Sequence, residues 1–185
     1  MPSEGSPAGG GEQVRSSFTI ADGFTALRIP LAIAFVLVHD DDWRVVILLV
    51  ASASDLLDGY IARHFGSSSL GSFLDPVADK LFMAAAFGVV LFSDRLAWYE
   101  VAGVLSRDLV ASVAFFYTAL IGRPAAMPAR LGGKAVTLGQ FLTLLAFLTD
   151  SSLVRPVAWA TAGIALYAIW DYSHTAARTR RSLKA

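Results

Sequence analysis

The chain contains no cysteine and carries little charge. Without thiols it has neither a disulfide framework nor a thiolate metal site. Only 16% of its 185 residues are Asp, Glu, Lys or Arg, against about 25% in an ordinary soluble domain. That charge is balanced, with 15 basic and 15 acidic residues, so there is no positive excess to argue for nucleic acid. What the chain has instead is apolar: 55% hydrophobic residues and a mean hydropathy of +0.57. These residues come in long runs, which predicts an all-α integral membrane protein of one domain.

Residues 1–15 form a Gly/Pro/Ser tail that cannot bury a core, and disorder is expected there. No short apolar core with a small-residue cleavage site precedes the first run, so a removed signal peptide is not expected. Residues 16–23 suit a short interfacial segment. Six transmembrane helices are predicted at 24–39, 43–63, 72–92, 96–121, 134–150 and 153–177, the last closing a membrane domain of residues 16–177. Residues 178–185 are a basic tail suited to anionic headgroups. Trp43, Trp98, Trp159 and Trp170 lie near predicted span ends and read as interface anchors. His39 and His174 are isolated and read as solvated. Alternating the gaps puts Arg15, Arg63, Arg123, Arg130, Lys134, Arg178, Arg180, Arg181 and Lys184 on one side. Only Arg44, Arg95 and Arg155 lie on the other. This asymmetry predicts a multi-pass protein of the cell membrane with both termini cytoplasmic. No internal repeat is visible, which argues weakly against an inverted-repeat transporter.

Four aspartates interrupt the apolar sequence at Asp55, Asp58, Asp75 and Asp79. One Asp at the centre of a membrane helix costs about 2.5–3.5 kcal/mol. Four therefore demand compensation, and only Arg63 and Lys80 are close in sequence. Asp55 and Asp58 are three apart, and Asp75 and Asp79 are four apart, so each pair shares a helix face. Read as antiparallel neighbours joined by a short turn, the two helices present facing pairs of hard oxygen ligands. Such a set fits two divalent cations, Mg²⁺, Mn²⁺ or Ca²⁺, better than zinc. Gly59, Ala62 and Gly71 leave room for a ligand to approach the backbone, although small residues also serve helix packing. Arg63 suits a diphosphate, or alternatively an interface anchor. Taken alone, the carboxylates also fit a cation transporter, but that reading leaves Gly59, Ala62, Arg63 and Gly71 without a role.

At these positions the sequence resembles the CDP-alcohol phosphatidyltransferase family. The family signature is Asp-x2-Asp-Gly-x2-Ala-Arg, a spacer, then Gly-x3-Asp-x3-Asp. Asp55, Asp58, Gly59, Ala62, Arg63, Gly71, Asp75 and Asp79 fill every fixed position. The spacer, residues 64–70, is shorter than usual. The resemblance implies attack of an acceptor hydroxyl on a CDP-linked lipid, usually CDP-diacylglycerol, with release of CMP in a cytoplasm-facing cavity. It implies two divalent cations, Mg²⁺ or Mn²⁺, on Asp55, Asp58, Asp75 and Asp79. Asp79 would be the general base. Gly59, Ala62, Arg63 and Gly71 would hold the CDP-lipid. It also allows a homodimer.

Thr25-Ala-Leu-Arg28 and Lys134-x2-Thr137-x2-Gln140 resemble segments of bacterial phosphatidylglycerophosphate and cardiolipin synthases of this family. Thr25 is assigned to the CDP-lipid. Arg28, Arg107 and Lys134 are expected to form a basic pocket for an anionic acceptor, enriched by Arg123 and Arg130. An internal ion pair with Asp108 is the plainer reading of Arg107. The expected acceptors are phosphatidylglycerol, giving cardiolipin, and glycerol-3-phosphate, giving phosphatidylglycerophosphate. A phosphatidylinositol-phosphate-type synthase is the alternative, since inositol phosphate is also anionic.

Overall fold

The computed structural model describes the backbone of residues 20–65, 69–120 and 131–182. It describes the side chains of 27–57, 77–114, 117, 120 and 132–174. These residues form six α-helices and no strand: α1 (Ile20–Leu37), α2 (Asp41–Phe65), α3 (Ser69–Leu91), α4 (Trp98–Leu120), α5 (Leu131–Leu148) and α6 (Val154–Ser182). All six expected helices are present. Two boundaries differ. Residues 20–23, assigned to an interfacial segment, belong to α1, while 16–19 lie outside the described residues, as does the tail of 1–15. The supposed basic tail is helical through Ser182, because arginine is a good helix former.

Helix ends follow local chemistry. Asp40 Oδ1 accepts from the N–H groups of Asp42 (2.9 Å) and Trp43 (3.2 Å), capping α2. Asp41 and Asp42 in the first turn complement its dipole. Glu100 Oε2 reaches back to the Ala97 N–H at 2.8 Å and caps α4. Trp159 Nε1 donates to the other Glu100 oxygen at 3.0 Å, tying α6 to α4. At the end of α5 the Ser151 N–H donates to the Ala146 carbonyl at 2.9 Å, with Asp150 left-handed at φ 54°.

The first three helices and the last three pack as two groups. α1 packs on both α2 and α3, and α6 packs on both α4 and α5. Among the described residues α2 and α3 share no direct packing. α1 lies against both of them. A single core runs through both groups, including Phe35, Leu48, Phe82, Phe87, Val104 and Leu144. The rings of Phe35 and Phe82 meet edge-on with centroids 5.8 Å apart.

Two arginines bind the groups at the end away from the aspartates. Arg44 Nε donates to the Phe35 carbonyl near the end of α1, and its guanidinium lies 5.9 Å from the Phe35 ring centroid. Arg95 does the same at α5, donating to the Phe147 carbonyl and lying 5.7 Å from that ring. Each thus places a cation at a helix C-terminus. Arg44 also pairs with Asp41, Arg95 with Asp150, and Arg155 lies 3.9 Å from Glu100. The three basic residues on this side are therefore matched by acidic ones.

Small residues let α6 approach its partners. A Cβ on Gly103 would lie 3.1 Å from the Ala162 Cβ, and one on Gly132 would lie 3.2 Å from the Ala168 Cβ. One on Gly139 would lie 2.5 Å from Thr161 Oγ1 and 2.9 Å from its Cγ2. Thr161 is 1% exposed and donates to the Val157 carbonyl, so it has little freedom to move. Gly139→Ala is expected to cost about 1–3 kcal/mol by overpacking, and Thr161→Ala in the same chain to recover most of it. Thermal unfolding of the four-member cycle checks this. An equal loss in both Thr161 backgrounds would contradict it.

Among the described residues no helix is long and apolar enough to cross a membrane. Charged residues are one reason: α2 alone carries Asp41, Asp42, Arg44, Asp55, Asp58 and Arg63.

Candidate functional site

Asp55 lies on α2, ten residues before its end, and Asp79 lies on α3, ten residues after its start. Antiparallel travel of the chain puts them at similar depth. Arg28 of α1, the helix packed on both, completes the group. Its Nη2 donates to Asp55 Oδ1 at 2.7 Å. Arg28 is 3% exposed, whereas the Asp55 side chain is 50% exposed. A buried cation thus sits beneath an open carboxylate. Asp79 is also exposed, and the charges acting on it are those of Asp55, Arg28, Asp108 and Lys80.

Asp58 and Asp75 occupy the same helices, one turn after Asp55 and one turn before Asp79. Their side chains lie outside the described residues, with those of Thr25, Gly59, Ala62, Arg63 and Gly71. Arg123 and Arg130 lie there as well. Among the described residues no group of three or more His, Asp or Glu is arranged to hold a metal ion. The described donors nonetheless suit a hard cation. Asp55 and Asp79 offer open carboxylate oxygens within electrostatic reach of each other, and Arg28 compensates one of the two charges.

A second centre lies between α4 and α5. Arg107 Nη1 donates to Asp108 Oδ1 at 2.8 Å, so the ion pair considered from sequence is present. The guanidinium lies against Gly133, where a Cβ would come within 2.7 Å of Nη2. Asp108 Oδ2 accepts from Gln140 Nε2 at 2.6 Å. Lys134 is exposed one residue beyond Gly133. Arg107 also lines a cleft of about 90 Å³ with Val110, Ala111, Gly133, Tyr167 and Tyr172. Lys80, next to Asp79 on α3, is half-buried.

Of the three residues expected to form one acceptor pocket, two meet at one centre. Arg107 and Lys134 lie at the α4–α5 centre. Arg28 pairs with Asp55 on the aspartate side. Sequence reasoning gave Asp108 only the role of an ion-pair partner and left Gln140 without one. The signal was available in part: an amide within an apolar helix needs a hydrogen-bond partner to justify its burial.

A family model of CDP-alcohol phosphatidyltransferases matches residues 18–170. A Mycobacterium tuberculosis protein provisionally named a cardiolipin synthase is 32% identical over 168 residues, covering 83% of this chain and 79% of that protein. An Escherichia coli K12 protein named CDP-diacylglycerol–glycerol-3-phosphate 3-phosphatidyltransferase is 33% identical over 160 residues, covering 81% and 85%. Both similarities span the aspartate helices and the α4–α5 centre together. The chain therefore belongs to the CDP-alcohol phosphatidyltransferase family and is a phosphatidyltransferase of phospholipid biosynthesis.

Proposed function

We propose that the protein transfers a phosphatidyl group from CDP-diacylglycerol to a glycerol-containing anionic acceptor. The observation that carries this reading is the half-exposed Asp55 carboxylate held at 2.7 Å by buried Arg28, with Asp79 at similar depth on α3. Asp55, Asp58, Asp75 and Asp79 would hold two divalent cations, Mg²⁺ or Mn²⁺. Bound there, the cations would neutralise charge on the transferring phosphoryl group and on departing CMP.

The remaining work falls to the chain. Asp79 takes the proton of the acceptor hydroxyl as the oxygen bonds to the lipid-side phosphorus. The bond from that phosphorus to the CMP oxygen breaks, and CMP leaves. Arg28 keeps Asp55 charged and in place. Thr25, Gly59, Ala62, Arg63 and Gly71 hold the CDP-lipid. Arg107 and Lys134 receive the anionic group of the acceptor, since guanidinium binds phosphate in a fixed fork.

The same reading places the protein in the cell membrane with its termini and site facing the cytoplasm. Supporting it, large apolar side chains cover the outer surface, including Ile33, Leu49, Leu109, Val113, Leu142 and Leu166. The four tryptophans are all exposed. A soluble surface would not sustain so large an apolar area. Reporter fusions at both ends are expected to give cytoplasmic signals, and an external signal from either would overturn the orientation.

The acceptor is tested by offering phosphatidylglycerol, glycerol-3-phosphate, inositol phosphate and serine separately to the purified protein with CDP-diacylglycerol. CMP release with either glycerol compound is expected. Release with only inositol phosphate or serine would overturn the acceptor assignment.

A further inference from the structure

Adjacent residues on a helix point about 100° apart, so an i,i+1 ion pair is not favoured by helix geometry. Arg107 and Asp108 nevertheless pair at 2.8 Å. Something must hold Asp108 turned toward its neighbour, and Gln140 is in the position to do so. Gln140 is 1% exposed on α5. Its Nε2 donates both to the Val104 carbonyl at 3.1 Å and to Asp108 Oδ2 at 2.6 Å. The amide is thereby fixed against the α4 backbone, and the two Asp108 oxygens are divided between Gln140 and Arg107. Seven residues earlier, two helical turns along the same face of α5, Gly133 provides the surface on which the guanidinium lies. Helix α5 therefore holds the Arg107–Asp108 pair at two points.

We propose that Gln140 is a positioning residue for acceptor recognition. It acts through Asp108 to keep the Arg107 guanidinium aimed at the anionic group of the acceptor. This rests on the reading of Arg107 as the acceptor's anion partner. A guanidinium already held does not have to be ordered on binding, which lowers the loss of freedom when the acceptor arrives. Gln140 touches neither substrate, so its effect falls on acceptor affinity rather than on the proton transfer at Asp79.

The test is steady-state kinetics of the full-length protein, with the acceptor identified above as the varied substrate and CDP-diacylglycerol saturating. Gln140→Leu is expected to raise acceptor KM roughly three- to tenfold, with kcat and the KM for CDP-diacylglycerol within about twofold. Gln140→Asn, one methylene shorter, should behave similarly. Adding Asp108→Glu to Gln140→Asn restores the lost reach and should bring acceptor KM back toward the native value. In an Arg107→Ala background, Gln140→Leu should add nothing. A purely structural Gln140 would instead lower thermal stability and change both KM values and kcat together, with no rescue by the length-compensating pair; that result overturns the proposal. If Arg107→Ala raises acceptor KM and Gln140→Leu does not, the positioning role alone fails. If Arg107→Ala leaves acceptor KM unchanged, the assignment of Arg107 fails and the proposal with it.

Discussion

Asp79→Asn is expected to lower the rate of CMP release by about 10²–10⁴-fold, the range a positioned general base contributes. The change keeps the size of the side chain and removes its ability to take a proton. The folded protein should tolerate it. Asp79 is exposed and lies within reach of the like charge on Asp55, so the neutral amide relieves repulsion. Without divalent cation, Asp79→Asn should therefore unfold at the same temperature as the native chain or at a higher one, a trade of stability against activity common at catalytic sites. A variant that turns over within tenfold of the native rate would remove Asp79 from the role of base.

Arg28→Ala should be the most damaging single change to both stability and activity. The guanidinium is buried and pairs with Asp55 at 2.7 Å. Truncation empties its space and leaves Asp55 without its cation. A fully buried pair broken from one side costs about 3–5 kcal/mol. Asp55 is half exposed and can turn to water, so the expected loss is smaller, about 2–3 kcal/mol. Arg28→Lys keeps the charge but not the fork, and should lose less. Asp55→Asn in the Arg28→Ala background should recover stability without recovering CMP release, because Asp55 is needed with its charge. Thermal unfolding and CMP release on the four proteins decide it. Full activity in Arg28→Ala would mean that the pair is ornamental to the site.

Much of this organisation is readable from the chain because its helices are marked by long apolar runs between polar breaks. Each observed boundary lies within a few residues of the expected one, apart from two. Residues 16–23 suit a separate interfacial segment by sequence, yet α1 already begins at Ile20. The Arg-rich end reads as a tail by composition, yet α6 runs through most of it. The aspartate pairs stand out by spacing and by energetic cost. What the chain does not display is which helices touch. Consecutive elements usually lie side by side, but that order does not announce that α1 packs on both α2 and α3. The partner of Arg28 is hidden in the chain for the same reason. Its ion pair with Asp55 spans 27 positions and exists only through α1 packing. Gln140 belongs to a motif visible in sequence, but its partner lies 32 residues away on another helix.

Metal-dependent transfer at the aspartate site is tested by product analysis of a single reaction. Purified protein is incubated with CDP-diacylglycerol and phosphatidylglycerol or glycerol-3-phosphate, after EDTA treatment and again after adding back Mg²⁺ or Mn²⁺. No CMP is expected after EDTA, with release restored on adding either cation and one new phospholipid formed per CMP. Release that persists in EDTA, or CMP accompanied by phosphatidic acid from hydrolysis instead of the transfer product, would contradict it.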